Sequence, residues 1–478
     1  MPDAPAIAWL RNDLRLEDNP ALAEAARAEG GVVVVYILDE ESEGLRAKGS
    51  ASRWWLHHSL ARLSGAIADK GGRLVLRSGN ALNHLLDIAN KTGAEDIHWN
   101  RRYGPGEFDV DTQIKDTLKE RDLNPVSHPG NLLVEPWEVK TQEGNPYKVF
   151  TPFWRSAREH GWRDTLHAAP REMKDASGDL GSDDLDDWKL LPTTPNWAEN
   201  FSERWQPGED GARGRLRDFI DSELDGYGKM RDRPDKDHTS RLSAHLHHGE
   251  ISPHTIVRAV NHAVDKGDVP ENDAAKFLSE IGWREFSHNL LYNFPKILKD
   301  NLQEKFDNFP WEKNDKALTA WQRGRTGYPI VDAGMRELWR DGIIHNRIRM
   351  VVASFLIKDL LIDWRTGEDW FWDTLLDADL ANNTASWQWV AGSGADAAPY
   401  FRVFNPVLQG EKFDPKGDYV RRHVPELADM PDKYIHKPWK APKDVLEKAS
   451  VTLGDTYPEP IVDHGEARDR ALKIFEDL

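Results

Sequence analysis

The sequence predicts an α/β domain with a doubly wound parallel sheet, a long linker, and a larger all-helical domain. Three observations predict it. Short apolar runs alternate with amphipathic helical stretches through the first third, the pattern of strand–helix units on a parallel sheet. From residue 211 onward helical periodicity dominates and two-residue alternation nearly vanishes. Residues 170–210 are acidic and rich in Pro, Ser and Gly (Asp175, Asp179, Asp183, Asp184, Asp186, Asp187, Pro192, Pro195), which reads as a surface linker. The expected domains are therefore 1–130, a linker over 131–210, and 211–478.

Taken in order, Ile7-Ala8-Trp9-Leu10 reads as a strand and Pro20 to Ala28 as a helix. Val32 to Leu38 is a continuous apolar run, as expected of a strand buried on both faces. Ser52 to Ala68 is helical, Arg73 to Leu76 a strand, Ala81 to Ala89 a helix, and Asp96 to Trp99 a strand. No glycine-rich dinucleotide fingerprint follows the first strand, where Arg11 to Asn19 stands instead. In the last 268 positions, Phe277-Leu278 with Ile281, and Ile343 to Leu361, carry helical spacing; no repeat or heptad is visible.

The 478 residues suffice for two to four domains without staples. There is no Cys, which excludes disulfides, thiolate nucleophiles, Cys-ligated zinc and iron–sulfur clusters. Lys plus Arg total 63 against 81 Asp plus Glu, a net charge of −18, so any nucleic-acid contact must come from a local basic patch. Arg213, Arg215 and Arg217, then Lys229, Arg231 and Arg233, then Arg421 and Arg422, with Arg347 and Arg402, are the candidates for it. The first residues lack a basic-then-apolar signal and no apolar run nears membrane-spanning length, so a soluble cytosolic protein is expected. Trp (20) outnumbers Tyr (10), and Trp is an oxidisable, stackable ring as well as a core residue.

Each motif has a plain reading and a chemical one. On the helix around Phe277 to Phe286, Glu280, Trp283 and Arg284 share a face; an intrahelical Glu280–Arg284 pair beside a core Trp is the plain reading. Asn346, Arg349 and Met350 share a face of a second helix, where a buried Arg349 needs a carboxylate or an anionic ligand. Asp377 to Asn383 combines carboxylates and amides; Ala381 and Asn382 at the fifth and sixth places do not suit a calcium loop, whereas a polar heterocycle, a ribose or a buried Arg would suit. Trp387 and Trp389, two apart on a helix, point to different faces. Gly392 to Ala397 mimics a dinucleotide motif without its strand context and reads as a loop. Thr239-Ser240-Arg241-Leu242-Ser243 opens a helix, as an ordinary N-cap or a phosphate site; the nearby His245, His247 and His248 lack a carboxylate at motif spacing, and no metal is expected.

Taken together, these strings resemble the photolyase/cryptochrome family over nearly the whole chain. The carriers are Trp9 to Arg15, Gly327-Tyr328-Pro329-Ile330-Val331-Asp332-Ala333-Gly334-Met335-Arg336, Asp377 to Gln388, and Ala397 to Pro406. The resemblance implies FAD in the helical domain. Tyr227, Thr239, Ser240, Arg241, Leu242 and Ser243 would hold its phosphates and adenine side, and Phe277, Arg284 and Arg349 would line the pocket. Asp377, paired with Arg349, and Asp379 would meet the flavin, and Asn383 would face N5. An electron relay would run through Trp387, Trp364 and Trp311. Glu280, Trp283, Asn346, Met350 and Trp389 would form the substrate pocket. Trp283 and Trp389 would flank a flipped dipyrimidine, with Glu280 at a base edge. Arg231, Arg347, Arg402 and Gln409 would contact DNA.

The implied reaction is light-driven repair: excited FADH⁻ gives an electron to a cyclobutane pyrimidine dimer, the ring opens and the electron returns. Relatives acting on (6-4) lesions carry two pocket histidines; here Asn346 and Met350 stand at those places, so a general acid is lacking. Zero Cys excludes the iron–sulfur subfamily. Trp99 to Tyr103 and Trp370-Phe371-Trp372-Asp373 look most like bacterial class III (or class I-like) members, Trp389 stands where plant-type cryptochromes typically place Tyr, and the alternative is a cryptochrome-type blue-light receptor. An antenna, methenyltetrahydrofolate or else a deazaflavin, would sit by the α/β domain. Its folate contact would be Glu107, although Gly106 stands where an amide is expected. The expected partner is ultraviolet-damaged DNA, met by a monomer.

Overall fold

The computed structural model describes residues 4–396 and 401–478. Packing divides the chain into two compact units. One runs to Trp197 and includes Trp205–Asp225 and Ser240–Pro295; the other comprises Ala198–Arg204, Gly226–Thr239 and Lys296–Leu478. These units do not coincide with divisions at 130 and 210. Buried polar bonds tie the later helices to the sheet segment: Arg15 Nη1 donates to the Gly249 carbonyl (2.9 Å) and Trp55 Nε1 to Glu250 Oε1 (2.9 Å).

The first unit carries strands β1 (Ala6–Leu10), β2 (Val32–Leu38), β3 (Leu74–Ser78), β4 (Asp96–Asn100) and β5 (Asn124–His128), in the order β3-β2-β1-β4-β5, all parallel. Helices α1 (Pro20–Ala25), α2 (Ser50–Ala68), α3 (Ala81–Thr92) and α4 (Pro105–Lys119) connect them. The valine run explains the double winding. Val32, Val34 and Tyr36 join one core with Leu22, Leu56 and Leu60, while Val33, Val35 and Ile37 join the other with Leu85, Ile88 and Ile114. Each such buried side chain is worth roughly 1.5–3 kcal/mol. Helix α4 and strand β5 extend the alternation past the last strand read from sequence. Pro125 is tolerated in β5 because that strand is the sheet edge.

Within the expected linker stands a further amphipathic helix, α5 (Phe150–His160). It packs on the Glu271–Asn293 helix, and Gly282 allows the approach: a Cβ there would lie 2.6 Å from the Trp154 ring. In the second unit, helices Asp315–Gln322, Pro329–Asp341, Asn346–Ser354, Trp364–Thr374 and Leu380–Ala391 enclose one apolar cluster. Trp321, Leu338, Ile348, Val352, Leu356 and Phe371 belong to it, as do Trp364 and Trp387. The Asn346 helix runs into a π-helical turn, Phe355–Asp359. No helix among the described residues is long and apolar enough to cross a membrane.

Candidate functional site

The richest chemistry of the second unit starts at a helix cap. Asp379 Oδ1 accepts from the Asn382 backbone N–H (2.8 Å) and starts the Leu380–Ala391 helix. Helical spacing then puts Asn383 and Trp387 one turn apart. Asn383 is buried, and its Nδ2 donates to Glu368 Oε1 (2.7 Å) and to the Glu368 carbonyl (3.1 Å). With both donors turned to Glu368, Oδ1 is the face this amide offers to anything else. Trp387 points into the core beside Phe371 (ring centroids 5.0 Å) and Trp321 (6.4 Å), and its Nε1 is buried without a hydrogen-bond partner among the described residues. Trp389 turns elsewhere, half-buried, and donates from Nε1 to the Asp396 carbonyl (3.1 Å).

Before that cap, buried Asp377 accepts from half-buried Arg349 Nη2 through both oxygens, at 2.8 and 3.1 Å, the pairing the resemblance implied. Arg349 Nε also donates to the Ile344 carbonyl (2.8 Å). On the same helix Asn346 is exposed and Met350 half-buried, with its sulfur 4.0 Å from Arg347 Nη1. His345 caps that helix, its Nδ1 accepting from the Arg347 N–H at 3.1 Å. Burial lowers its imidazole pKa to about 4, so it stays neutral near pH 7.

Trp364 is buried and donates from Nε1 to Asn301 Oδ1 (3.0 Å), under the Arg365 guanidinium. Trp311 is half-buried, 4.3 Å from the Phe309 ring, and packs against the apolar cluster that contains Trp364 and Trp387. The three relay candidates therefore share one hydrophobic body.

The local basic patch needs correction. Arg347 pairs with Asp232 (3.0 Å) and lies over the Phe413 ring, and Arg231 is 4.0 Å from the same carboxylate and over Tyr227. Arg233 pairs with Asp235 (2.6 Å), Arg421 with Asp432 (2.9 Å), Arg213 with Glu209 (2.7 Å), and Arg215 with Glu223. Carboxylates interleaved with these cations neutralise much of the patch. Arg402 is exposed, and its carbonyl accepts from buried Lys358. Gln409 Oε1 is buried without a partner among the described residues. Part of the Ala397 to Pro406 string, Ala397 to Tyr400, lies outside the described residues, as does the last position of the Gly392 to Ala397 loop.

Tyr227 and Thr239 belong to the second unit; Ser240, Arg241, Leu242 and Ser243 belong to the first. The helix expected to open at Thr239 opens at Ser243 and spans only six residues to His248. Its cap is Leu242, with no side-chain cap bond. In the first unit Phe277 is buried against Phe219 (4.7 Å). Glu280 pairs with Lys276 (3.6 Å) and Arg284 with Glu285 (3.1 Å), in place of a Glu280–Arg284 pair. Trp283 stacks on Phe150. Glu285, buried, also accepts from the Leu133 N–H (2.7 Å), and desolvation raises its pKa to about 7 against the pull of Arg284. Glu107 is the third residue of α4, where Oε2 accepts from the Gly104 N–H (3.1 Å) and Oε1 lies 3.9 Å from Arg102. Among the described residues no group of three or more His, Cys, Asp or Glu could hold a metal. Glu368, Glu285, His345 and Phe150 are the contributors that sequence reasoning missed; a contact 15 positions away on another helix, or 133 positions away as for Phe150, leaves no local signal.

Comparison with known proteins supplies a frame. A family profile described as the FAD binding domain of DNA photolyase matches residues 277–477, and one described as DNA photolyase matches 6–173. The chain is 54% identical to the deoxyribodipyrimidine photo-lyase of Agrobacterium fabrum, covering 99% of this chain and 98% of that one. It is 39% identical to Arabidopsis thaliana cryptochrome-2, over 99% of this chain and 79% of the relative. The crystal structure of a bacterial class III photolyase from Agrobacterium tumefaciens is similar with a TM-score of 0.95 and 52% identity, covering 99% of this chain and 97% of that one.

Proposed function

The chain belongs to the photolyase/cryptochrome family, and from that premise we propose that it is a light-dependent DNA-repair enzyme, a deoxyribodipyrimidine photo-lyase of the class III kind that splits cyclobutane pyrimidine dimers. The observation that carries this reading is the Asn383 amide, pinned by Glu368 so that its oxygen is the free acceptor one helical turn from buried Trp387.

That donor set fits FAD. A flavin protonated at N5 would need a neutral acceptor, a role Asn383 Oδ1 could fill, and the Arg349–Asp377 pair would offer the ring a charge-balanced polar neighbour. When bound and reduced, FAD supplies under blue light the electron that opens the cyclobutane ring and receives it back. The rest is the work of the chain's own residues. Tyr227, Thr239, Ser240, Arg241, Leu242, Ser243, Phe277, Arg284, Arg349, Asp377, Asp379 and Asn383 are assigned to holding the cofactor. Trp387, Trp364 and Trp311 are assigned to its photoreduction, and what supports this is that all three lie in or against one apolar cluster.

Trp283 and Trp389 are each assigned to stacking on a base face, with Glu280 at a base edge and Asn346 and Met350 beside the lesion. Neither Asn346 nor Met350 can act as a general acid, which suits a reaction needing only electron transfer and bond scission. Arg231, Arg347, Arg402 and Gln409 are assigned to DNA; the two arginines on Asp232 would have to exchange that carboxylate for a phosphate.

We assign 1–130 to an antenna-binding domain, 131–210 to a linker and 211–478 to the cofactor-binding and catalytic domain. The antenna is methenyltetrahydrofolate at Glu107, or a deazaflavin; Glu107 Oε2 is held by its own helix, and Oε1, 3.9 Å from Arg102, is the oxygen that would turn to a ligand. The protein is assigned to the cytoplasm as a monomer acting on ultraviolet-damaged DNA.

The test is loss of dimers from ultraviolet-irradiated oligothymidine by the reduced holoprotein under blue light. Loss in light and none in darkness is expected. No loss with fully reduced flavin would favour the receptor reading that the Arabidopsis cryptochrome match raises, and turnover in darkness would point to an ordinary flavoprotein.

A further inference from the structure

Trp283 is not an isolated ring. Its indole lies flat on Phe150, with centroids 3.9 Å apart and planes 9° from parallel. Phe286 closes the pair from below, edge-on to Trp283 (5.8 Å, 74°) and to Phe150 (6.0 Å, 69°). Phe153 packs on Phe286 in turn (5.2 Å). Helix α5 can bring Phe150 there because Gly282 admits the Trp154 ring where any Cβ would clash at 2.6 Å. Phe286 is buried while Trp283 and Phe150 are half-buried, so the stack sits at the surface on a rigid floor.

The geometry points to Phe150 as a positioning residue for base stacking: it occupies one face of Trp283, fixes the plane of the indole, and leaves a single oriented face for an extruded pyrimidine. This rests on the reading that Trp283 stacks on a lesion base. An aromatic side chain free to rotate would lose that freedom when a base arrives, and holding it beforehand removes the cost. Offset and stacked ring pairs add to burial by an amount that corresponds to about three- to ten-fold in an equilibrium constant. A flat backing ring should therefore favour a damaged site that extrudes a dipyrimidine over an intact duplex, which offers no base to stack on.

The experiment compares FAD-loaded wild type, Trp283→Ala, Phe150→Leu and Phe150→Tyr for affinity to an oligonucleotide with one cyclobutane dimer and to the same undamaged strand. Trp283→Ala should lower the damaged-to-undamaged affinity ratio. Phe150→Leu, which keeps apolar volume without a flat face, should lower that ratio about three- to ten-fold. Phe150→Tyr should restore it. Flavin content and the rate of flavin photoreduction should not move. If Phe150→Leu loses flavin, Phe150→Met takes its place in the same comparison. A ratio unchanged in the Leu or Met variant, while Trp283→Ala loses it, overturns the role of Phe150 and leaves the Trp283 assignment standing. A ratio unchanged in Trp283→Ala overturns the stacking reading itself. Equal losses in the Leu and Tyr variants would mark a packing role only and also overturn the proposal.

Discussion

Glu368 holds Asn383 twice, through its carboxylate at 2.7 Å and its own main-chain carbonyl at 3.1 Å. The side chain accounts for only one of these contacts, so Glu368→Leu should loosen the amide without unfolding the helix cap at Asp379. On the proposed placement of Asn383 at flavin N5, a loosened amide would accept less well from the protonated nitrogen and would stabilise the reduced cofactor less. One hydrogen bond of about 1 kcal/mol corresponds to about 20 mV for a two-electron couple. The midpoint potential of bound flavin, read by spectroelectrochemistry, should fall by that amount; an unchanged potential would remove Asn383 from the N5 position.

Arg349→Ala should be the more damaging change. Asp377 would keep its burial and lose the guanidinium that both of its oxygens accept from. Breaking such a pair costs roughly 3 kcal/mol, because the surviving charge is stranded. The purified variant should carry little flavin and unfold at lower urea concentration, and Asp377→Asn in the same chain should recover part of the stability.

Trp387 can be perturbed in two ways. Trp387→Phe keeps a ring in the core but raises its oxidation potential, so photoreduction of oxidised flavin should slow while prereduced enzyme still repairs. Equal loss of both activities would refute the relay. Gly367→Ala attacks the same ring sterically: its Cβ would lie 2.1 Å from Trp387 Cη2 and 2.7 Å from Leu356 Cδ2. Overpacking of that kind costs roughly 1–3 kcal/mol, visible as a lower urea midpoint.

Glu285 makes stability depend on pH. Its carboxyl is raised from 4.5 to about 7, so the folded chain binds that proton more tightly than the unfolded chain does. The stabilising contribution is complete below the ordinary carboxyl value and is lost as pH rises through about 7. Between pH 4.5 and 7.5 wild type should therefore lose on the order of 3 kcal/mol relative to Glu285→Gln. Urea midpoints at the two pH values check this; parallel curves would show that Glu285 stays ionised throughout.

Much of the fold was legible because periodicity survives in sequence. The unbroken valine run of β2 announced a strand buried on both faces, and the sheet confirms it. Strand β5 was hidden by Pro125, and α4 by a surface face so charged that only Val110, Ile114 and Leu118 are buried. That Arg349 would need a carboxylate or an anionic ligand was legible from its helix face, and the family resemblance named Asp377 as the partner. The neutralised basic patch was not: counting arginines does not count Asp232 and Asp235, which fold back onto them. The Phe150–Trp283 stack joins positions far apart in the chain and is set by helix packing that no local pattern encodes.

The indole N–H of Trp387, unpartnered among the described residues, bears on the kinetics of the proposed relay. An oxidised tryptophan becomes acidic, yet no group among the described residues accepts from this N–H. Trp364 is little better served, since the oxygen it faces belongs to the neutral amide of Asn301. On the proposed relay, half-buried Trp311 is the first of the three rings that water can reach, so discharge of a proton to solvent would belong at that end and would set the lifetime of the separated charge.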